Sequence, residues 1–264
     1  MNINSFVYTP SEIAARQVLI DCGIEDPTEI PLKTIILSKK AFYEEVPLDG
    51  KEGEIVSANG RSIISINSNI IYEGKKRFTA AHELGHFILH RNLIPVFSDT
   101  EEELMNWYQA GPHEQEANQF AAEFLMPSHI FHKECEKRKF GPEVIGYLAQ
   151  RFVVSKTAAI LKFVARGNHP VFIIYCKDGK MKWWKKSTDF YSFCNFKQNA
   201  PIPSGSVAAE IFAKKKAYLG DEAKQEIWKS DWFELKENEE DSKFFEYCLY
   251  SPTHNYTISV IWQR

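Results

Sequence analysis

The chain has 264 residues, 25% of them charged, and a formal net charge of −3. This length allows one large domain, or two or three small ones, each with an apolar core. A charge so close to neutrality excludes a general electrostatic attraction to nucleic acid or to membrane surfaces.

The location of the protein is predicted from its first residues and its cysteines. Residues 1–10 lack both a basic start and an apolar run, so we expect no secretory signal. No apolar stretch approaches the roughly 20 residues that span a bilayer, so no membrane association is expected. The five cysteines form no Cys-x-x-Cys pair, which indicates free thiols in a reducing compartment. The cytoplasm is therefore the expected location.

The first predicted element is a helix that begins at Ser11 and runs to Gly23. Serine is a favoured N-cap, and glycine commonly follows the end of a helix. The helical period predicts an inner side formed by Ile13, Val18 and Leu19.

Short strands are predicted after this helix. Two are expected near residues 35–37 and 54–58. The Asn59-Gly60 pair is typical of a tight hairpin turn, and it leads into a strand at 62–66 that is rich in isoleucine.

Residues 82–86 read His-Glu-Leu-Gly-His inside an amphipathic stretch that predicts a helix. On a helix, residues four apart lie on one face, so His82 and His86 can point their imidazoles at one metal ion. Glu83 could reach a water bound to that metal. Two nitrogen ligands, an open coordination position and a nearby carboxylate are what a zinc hydrolase needs. The alternative is a surface helix that carries these residues by chance.

A catalytic zinc takes a third protein ligand, for which a second predicted helix, at 113–127, offers Glu114. Asn118 lies one turn further on, where it could orient a metal-bound histidine. Glu116 is the alternative third ligand and is otherwise expected to be solvated. His90 is interpreted as a helix-end residue that favours the C-terminal dipole, with a ligand role as the alternative.

The two motifs together resemble the ImmA/IrrE family of metallo-endopeptidases. The first reads Arg-Phe-Thr-Ala-Ala-His-Glu-Leu-Gly-His-Phe-Ile-Leu-His at 77–90, and the second reads Glu-x-Glu-Ala-Asn-x-Phe-Ala-Ala-Glu-x-Leu-Met-Pro at 114–127. The family is associated with a zincin-like protease domain that cleaves or controls DNA-binding repressors. The resemblance covers about residues 10–130 and implies zinc as the cofactor, with Mn²⁺ or Fe²⁺ as alternatives. It implies these site residues: metal ligands His82, His86 and Glu114, and catalytic base Glu83.

In zincins, the strand before the motif helix forms the edge to which substrate backbone is added. The resemblance therefore implies substrate binding by Ser62, Ile64 and Ile66, within residues 62–67. An internal strand is the alternative. Residues 91–113 are predicted to form a loop with a short helix that could overhang the cleft.

Residues 142–166 resemble a helix-turn-helix pattern, in which the second helix enters a DNA groove. Lys156, Lys162 and Arg166 would then contact phosphates. We interpret this segment as a structural helix pair instead, because residues suited to reading bases are few, and we keep DNA binding as the alternative.

The last hundred residues predict a separate α/β domain with dense aromatic residues, interpreted as a core rather than as a ligand pocket. Some members of the family carry a small sensor-like domain here that resembles GAF folds. The predicted elements are a hairpin of 171–176 and 181–184, a helix at 206–218, and strands at 244–250 and 256–262.

These observations predict an α+β fold. It would comprise a zincin-like metalloprotease domain at 1–130, a helix-turn-helix-like helical segment at 131–168 and a C-terminal mixed α/β domain at 169–264. The expected function is a zinc-dependent endopeptidase in transcription regulation or a stress response, which cleaves a helix-turn-helix repressor upon a signal. The alternative is a non-proteolytic regulator that binds and displaces a repressor or contacts DNA.

Overall fold

A computed structural model describes residues 6–91, 111–191, 194–198 and 200–263, together with the backbone of 96–99. Helices and strands are mixed along these residues, which confirms the predicted α+β class. The predicted loop and short helix at 91–113 lie mostly outside the described residues. Within that stretch a short strand is present at Val96–Asp99.

The helices are α1 Pro10–Asp21, α2 Leu32–Ser38, α3 Glu73–Leu89, α4 Pro112–Leu125, α5 Ser128–Glu136, α6 Pro142–Phe152, α7 Lys156–Arg166, α8 Val207–Lys214 and α9 Lys229–Trp232. The strands are β1 Ala41–Val46, β2 Gly53–Ala58, β3 Arg61–Asn67, β4 Val96–Asp99, β5 Phe172–Lys177, β6 Lys180–Lys186, β7 Asn195–Phe196, β8 Lys224–Trp228, β9 Phe233–Glu234, β10 Lys243–Ser251 and β11 Tyr256–Gln263.

The chain forms two compact units. The first consists of Met1–Glu134 and Leu148–Ala158, and the second consists of Cys135–Tyr147 and Ala159–Arg264. The three-part division predicted from the sequence stays a prediction, and the structure distributes its middle segment, 131–168, between the two units.

Helix α1 begins earlier than the sequence predicts, because its N-cap is Thr9 rather than Ser11. The Thr9 side chain accepts a hydrogen bond from the Glu12 amide at 3.3 Å, and the Glu12 carboxylate accepts one from the Thr9 amide at 2.8 Å. This reciprocal pair satisfies two amides that would otherwise lack partners. Ile13, predicted to face inward, is 56% exposed, whereas the other two predicted inner residues are buried.

Residues 35–37, predicted as a strand, belong to helix α2 instead. Leu32, Ile35 and Ile36 are buried at helical spacing. A short apolar run with β-branched residues does not distinguish a strand from a buried helix, which explains the error.

The first unit contains a four-stranded sheet in the order β1-β3-β2-β4. Strands β2 and β3 form the predicted hairpin. Its turn residues, Asn59 and Gly60, both have positive φ, at 52° and 74°. This conformation matches the right-handed twist of a two-residue hairpin.

Strand β3 is an interior strand, so the predicted substrate edge at 62–67 is wrong. It pairs in parallel with β1 on one side and antiparallel with β2 on the other. Its backbone groups are therefore used within the sheet, and Ser62, Ile64 and Ile66 are buried. In the described part of this sheet, the outer strands are β1 and β4.

Helices α3 and α4 pack closely because small residues meet at their contact. A Cβ added at Gly85 of α3 would lie 3.2 Å from both Cα and the carbonyl oxygen of Ala117 in α4. Around this contact lie the fully buried side chains of Leu84, Phe120 and Phe124. Apolar packing thus places the first turn of α4 beside the middle of α3.

The predicted helix pair is present as α6 and α7. Ser155 caps α7 by accepting a hydrogen bond from the Ala158 amide at 3.1 Å. The connection between the helices lies against α3, because a Cβ added at Gly74 would be 2.7 Å from the carbonyl carbon of Val154.

Most of helix α7 is buried, so little of it is available to a DNA groove. Residues 158–164 are all buried, and Lys162 is only 4% exposed. The phosphate contact that the DNA-binding alternative assigned to Lys162 is therefore wrong. Lys156 is exposed and Arg166 is half-buried.

The second unit contains a five-stranded antiparallel sheet in the order β6-β5-β11-β10-β8. The predicted hairpin is present, with Asp178 and Gly179 at positive φ, and so are the two predicted terminal strands. The aromatic residues Phe172, Phe190 and Phe233 lie in the buried cluster of this unit, as the core interpretation predicts. A sensor role for this unit stays a prediction.

Among the described residues, no single helix is long and apolar enough to cross a membrane. Helices α6 and α7 reach that length only when they are taken together, across a bend of 107°.

Candidate metal centre

Three side chains from α3 and α4 point donor atoms at one position. His82 and His86 project from the same face of α3, and their Nε2 atoms lie 2.9 Å apart. A carboxylate oxygen of Glu114 lies 3.1 Å from His82 Nε2 and 3.3 Å from His86 Nε2. The two histidines are fully buried, whereas the Glu114 side chain is 24% exposed. The structure thus brings together the three residues predicted as metal ligands, within 4.8 Å of one another.

Asn118 fixes the orientation of His82. The Asn118 Oδ1 atom lies 2.9 Å from His82 Nδ1, and Asn118 is 1% exposed. An amide oxygen can only accept, so Nδ1 carries the ring proton and donates it. The Nε2 lone pair then points at Glu114, which is the tautomer that a metal ligand needs. Asn118 therefore contacts the histidine that the sequence predicts it to orient, and its role at a metal site stays a prediction.

Two further polar side chains, His90 and Glu116, continue from the Nδ1 side of the His86 ring. His86 Nδ1 is 3.1 Å from His90 Nδ1, and His90 Nε2 is 2.8 Å from a carboxylate oxygen of Glu116. His90 follows the last residue of α3, as expected for a helix-end residue, and is buried. Glu116 was expected to be solvated. Its side chain is 48% exposed, but its carboxylate contacts His90.

His90, Glu116 and His113 form a second group of potential metal-binding side chains, again with donor atoms within 4.8 Å of one another. His113 Nδ1 lies 3.6 Å from Glu116. Sequence reasoning missed this group. The spacing of four residues between His86 and His90 was the available signal, because it places both rings on one helix face.

The donor set fits a divalent metal. Burial raises the pKa of Glu114, but its contacts with His82 and His86 lower it by more, so the pKa lies below its usual value. The carboxylate is therefore ionised at neutral pH, the form that binds a metal. A catalytic zinc commonly has two imidazole nitrogens, one carboxylate oxygen and a water as its ligands, and Mn²⁺ or Fe²⁺ accepts the same donors.

Glu83 follows His82 on α3 and is fully buried. Gly53, the first residue of β2, lies directly against it, and a Cβ added there would be 2.7 Å from Glu83 Oε1. The absence of a side chain at position 53 therefore leaves room for the Glu83 carboxylate. Sequence reasoning also missed Gly53, although glycine in a strand commonly marks a close approach by another group.

Comparison with known proteins gives one family match. Residues 40–163 match the model of a peptidase family described as the IrrE N-terminal-like domain. No curated protein matches the chain. Among solved structures, the chain is similar to one described as a Mycobacterium tuberculosis transcriptional regulator, with a TM-score of 0.64 and 14% sequence identity. The alignment covers 97% of this chain and 77% of that chain, and at this identity the likeness shows the fold alone.

Proposed function

We propose that the protein is a zinc-dependent regulatory endopeptidase, because residues 40–163 match the model of the IrrE N-terminal-like domain. The observation that carries the proposal is the group of His82, His86 and Glu114, with the buried Glu83 adjacent on α3. A binding protein without catalytic activity has no need of a buried carboxylate beside such a group.

The proposed roles follow from the chemistry of each side chain. His82, His86 and Glu114 would hold the metal, which supplies Lewis acidity that lowers the pKa of a water and polarises the scissile carbonyl. Glu83 accepts the proton of the attacking water at a carboxylate oxygen and passes it to the leaving amine. Asn118 keeps the proton of His82 at Nδ1, so that Nε2 remains a ligand throughout.

The substrate class that we propose is a helix-turn-helix transcriptional repressor, cleaved in response to a signal. The support for it is the match of residues 40–163 to the IrrE N-terminal-like domain, the family that the two sequence motifs resemble. We propose that the substrate backbone is added at β4. This strand pairs with β2, and Asp99 is the register partner of Gly53, the residue that contacts Glu83.

The test uses Glu83→Gln, which is nearly isosteric and leaves the three proposed ligands unchanged. Each form is expressed together with the repressor encoded nearest to its gene. The wild type should shorten the repressor to a defined fragment. The variant should retain zinc, bind the repressor and leave it intact, because loss of a general base typically lowers the rate by about 10²–10⁴.

The same experiment also tests the rival function, in which the protein is a non-proteolytic regulator that displaces the repressor from DNA. If Glu83→Gln relieves repression as well as the wild type does, with no fragment in either case, the protease proposal is wrong and the rival is supported.

A further inference from the structure

We propose that His90 and Glu116 form a relay that holds the proton of His86 at Nδ1 and thereby sets the metal affinity of the site. The inference rests on the proposed metal site at His82, His86 and Glu114. It concerns two contacts in a row: Glu116 to His90 Nε2 at 2.8 Å, and His90 Nδ1 to His86 Nδ1 at 3.1 Å.

The direction of the relay follows from counting protons. A neutral imidazole has one N–H donor and one acceptor nitrogen, whereas an ionised carboxylate only accepts. Glu116 therefore requires the proton of His90 at Nε2, which leaves Nδ1 of His90 as an acceptor. His86 must then donate from its own Nδ1. Its Nε2 keeps a lone pair, and that atom lies 3.3 Å from Glu114, at the proposed metal position.

Without the Glu116 carboxylate, the positions of the ring protons on His90 and His86 would no longer be fixed. Nothing in the two-histidine contact itself prevents His90 from carrying its proton at Nδ1. That proton would then be donated to His86 Nδ1 and would leave the proton of His86 at Nε2. A protonated Nε2 cannot bind a metal, so part of the protein would present His86 in a form that does not bind.

The two histidines of the proposed site are thus oriented by different means. His82 is held by Asn118, whose amide oxygen accepts in every protonation state of its neighbours. His86 is held by a ring whose tautomer depends on Glu116, a side chain that is 48% exposed. Glu116 is consequently the residue through which a change at the surface reaches the metal ligand.

A second metal ion on His90, His113 and Glu116 is the competing interpretation of the same residues. An ion bound to His90 through Nε2, the nitrogen that faces Glu116, would require the proton of His90 at Nδ1. His86 would then carry its proton at Nε2, which is incompatible with a metal at the first site. The geometry therefore favours a relay that serves one metal.

The experiment measures metal affinity, so its result does not depend on whether the protein cleaves a substrate. The full chain is stripped of metal with a chelator. It is then titrated with zinc against a competing chelator, and with Co²⁺ while the d–d absorption is followed. We expect one ion per chain and an affinity that Glu116→Ala lowers by about 10- to 100-fold. Glu116→Gln retains an oxygen acceptor and should retain most of the affinity.

His113→Ala is the matched control. His113 lies beside Glu116, and its ring centroid is 4.6 Å from that of His90, but neither of the two relay contacts passes through it. Its removal should therefore leave both the affinity and the count of one ion unchanged. Two ions per chain in the wild type, reduced to one by His113→Ala, would support the second metal and overturn the relay.

A double-mutant cycle separates the relay from the charge of Glu116. His90→Asn places an amide oxygen near the position of Nδ1, an acceptor that does not depend on Glu116. In that background Glu116→Ala should have no further effect on affinity. If Glu116→Ala lowers the affinity equally in both backgrounds, or has no effect in the wild type, the relay is refuted. Neither result decides whether the protein is an endopeptidase, which the Glu83→Gln experiment tests separately.

Discussion

Gly53 at the start of β2 and Glu83 in the middle of α3 are in direct contact. A Cβ added at Gly53 would lie 2.7 Å from Glu83 Oε1 and 2.7 Å from Cγ2 of Thr79. The space around the Glu83 carboxylate, the proposed base, is therefore bounded on this side by strand backbone, and it has no room for a further methyl group.

Gly53→Ala is expected to displace the Glu83 carboxylate and to lower kcat for repressor cleavage by about 10²-fold or more, in the range of a lost general base. Zinc content should stay at the wild-type level, because the three atoms nearest to the added methyl belong to Glu83 and Thr79 and not to a proposed ligand. Gly146→Ala is the control, since a Cβ there meets nothing within 4 Å. Wild-type cleavage by Gly53→Ala would contradict the role assigned to this contact.

The identity of the third ligand can be tested by metal content. Purified wild-type protein should contain about one zinc per chain. Glu114→Ala should lose most of this zinc, as should His82→Ala and His86→Ala, because each removes a direct donor. Glu116→Ala should weaken binding less than Glu114→Ala does. Full zinc in Glu114→Ala with loss of zinc in Glu116→Ala would reverse the assignment.

Asn118 offers a separate test of how His82 is oriented. Asn118→Ala removes the acceptor of the His82 Nδ1 proton and should lower zinc affinity by about 10- to 100-fold. Asn118→Asp keeps an oxygen at the same place and should bind zinc at least as tightly as Asn118→Ala, by competition with a chelator. The reverse order would show that Asn118 acts by some means other than accepting this proton.

Arg151 of α6 pairs with Asp26, which follows α1. Burial raises the pKa of Asp26, but hydrogen bonds from Arg151 and Thr28 outweigh burial and lower the pKa from its ordinary 3.8. Arg151→Met should therefore reduce the free energy of unfolding at pH 7 by about 1 kcal/mol. Because the pKa is depressed in the folded protein, this contribution is complete above the ordinary value and is lost as the pH falls through the lowered one.

Urea unfolding of both forms at a series of pH values measures this effect. The difference between wild type and Arg151→Met should narrow below a pH of about 4. A difference that stays constant into the acid range would show that Arg151 acts through packing rather than through its charge.

No specific DNA binding is expected, because residues 158–164 of α7 are buried. In a titration with duplex DNA, any weak binding should be independent of sequence, and changing Lys156 and Arg166 to Ala should leave its salt dependence nearly unchanged. A nanomolar, sequence-selective complex would contradict this expectation and would support the regulator that contacts DNA.

Local patterns in the sequence were sufficient to predict the motif helix and the helix that carries Glu114. Apolar residues at helical spacing predicted both, and the spacing of four residues placed His82 and His86 on one face. The hairpin at Asn59 was equally local, because its turn needs residues that tolerate positive φ.

Features that depend on distant pairing could not be predicted in this way. The interior position of β3 follows from its parallel pairing with β1, and the alternation of side chains along one strand does not reveal its neighbours. The contact between Gly53 and Glu83 joins residues 30 positions apart. Glu116 was placed in solvent because the direction of a side chain on one helix does not show what the neighbouring helix presents to it.

The close contact between Gly85 and Ala117 has a thermodynamic consequence. In a small zinc finger, metal binding and folding are one event, because no site exists before the chain folds around the ion. Here the donors stand on two helices that apolar packing holds together. Loading and unloading of the ion should therefore be reversible without unfolding, and the fraction of active protein should follow the free metal concentration around the dissociation constant.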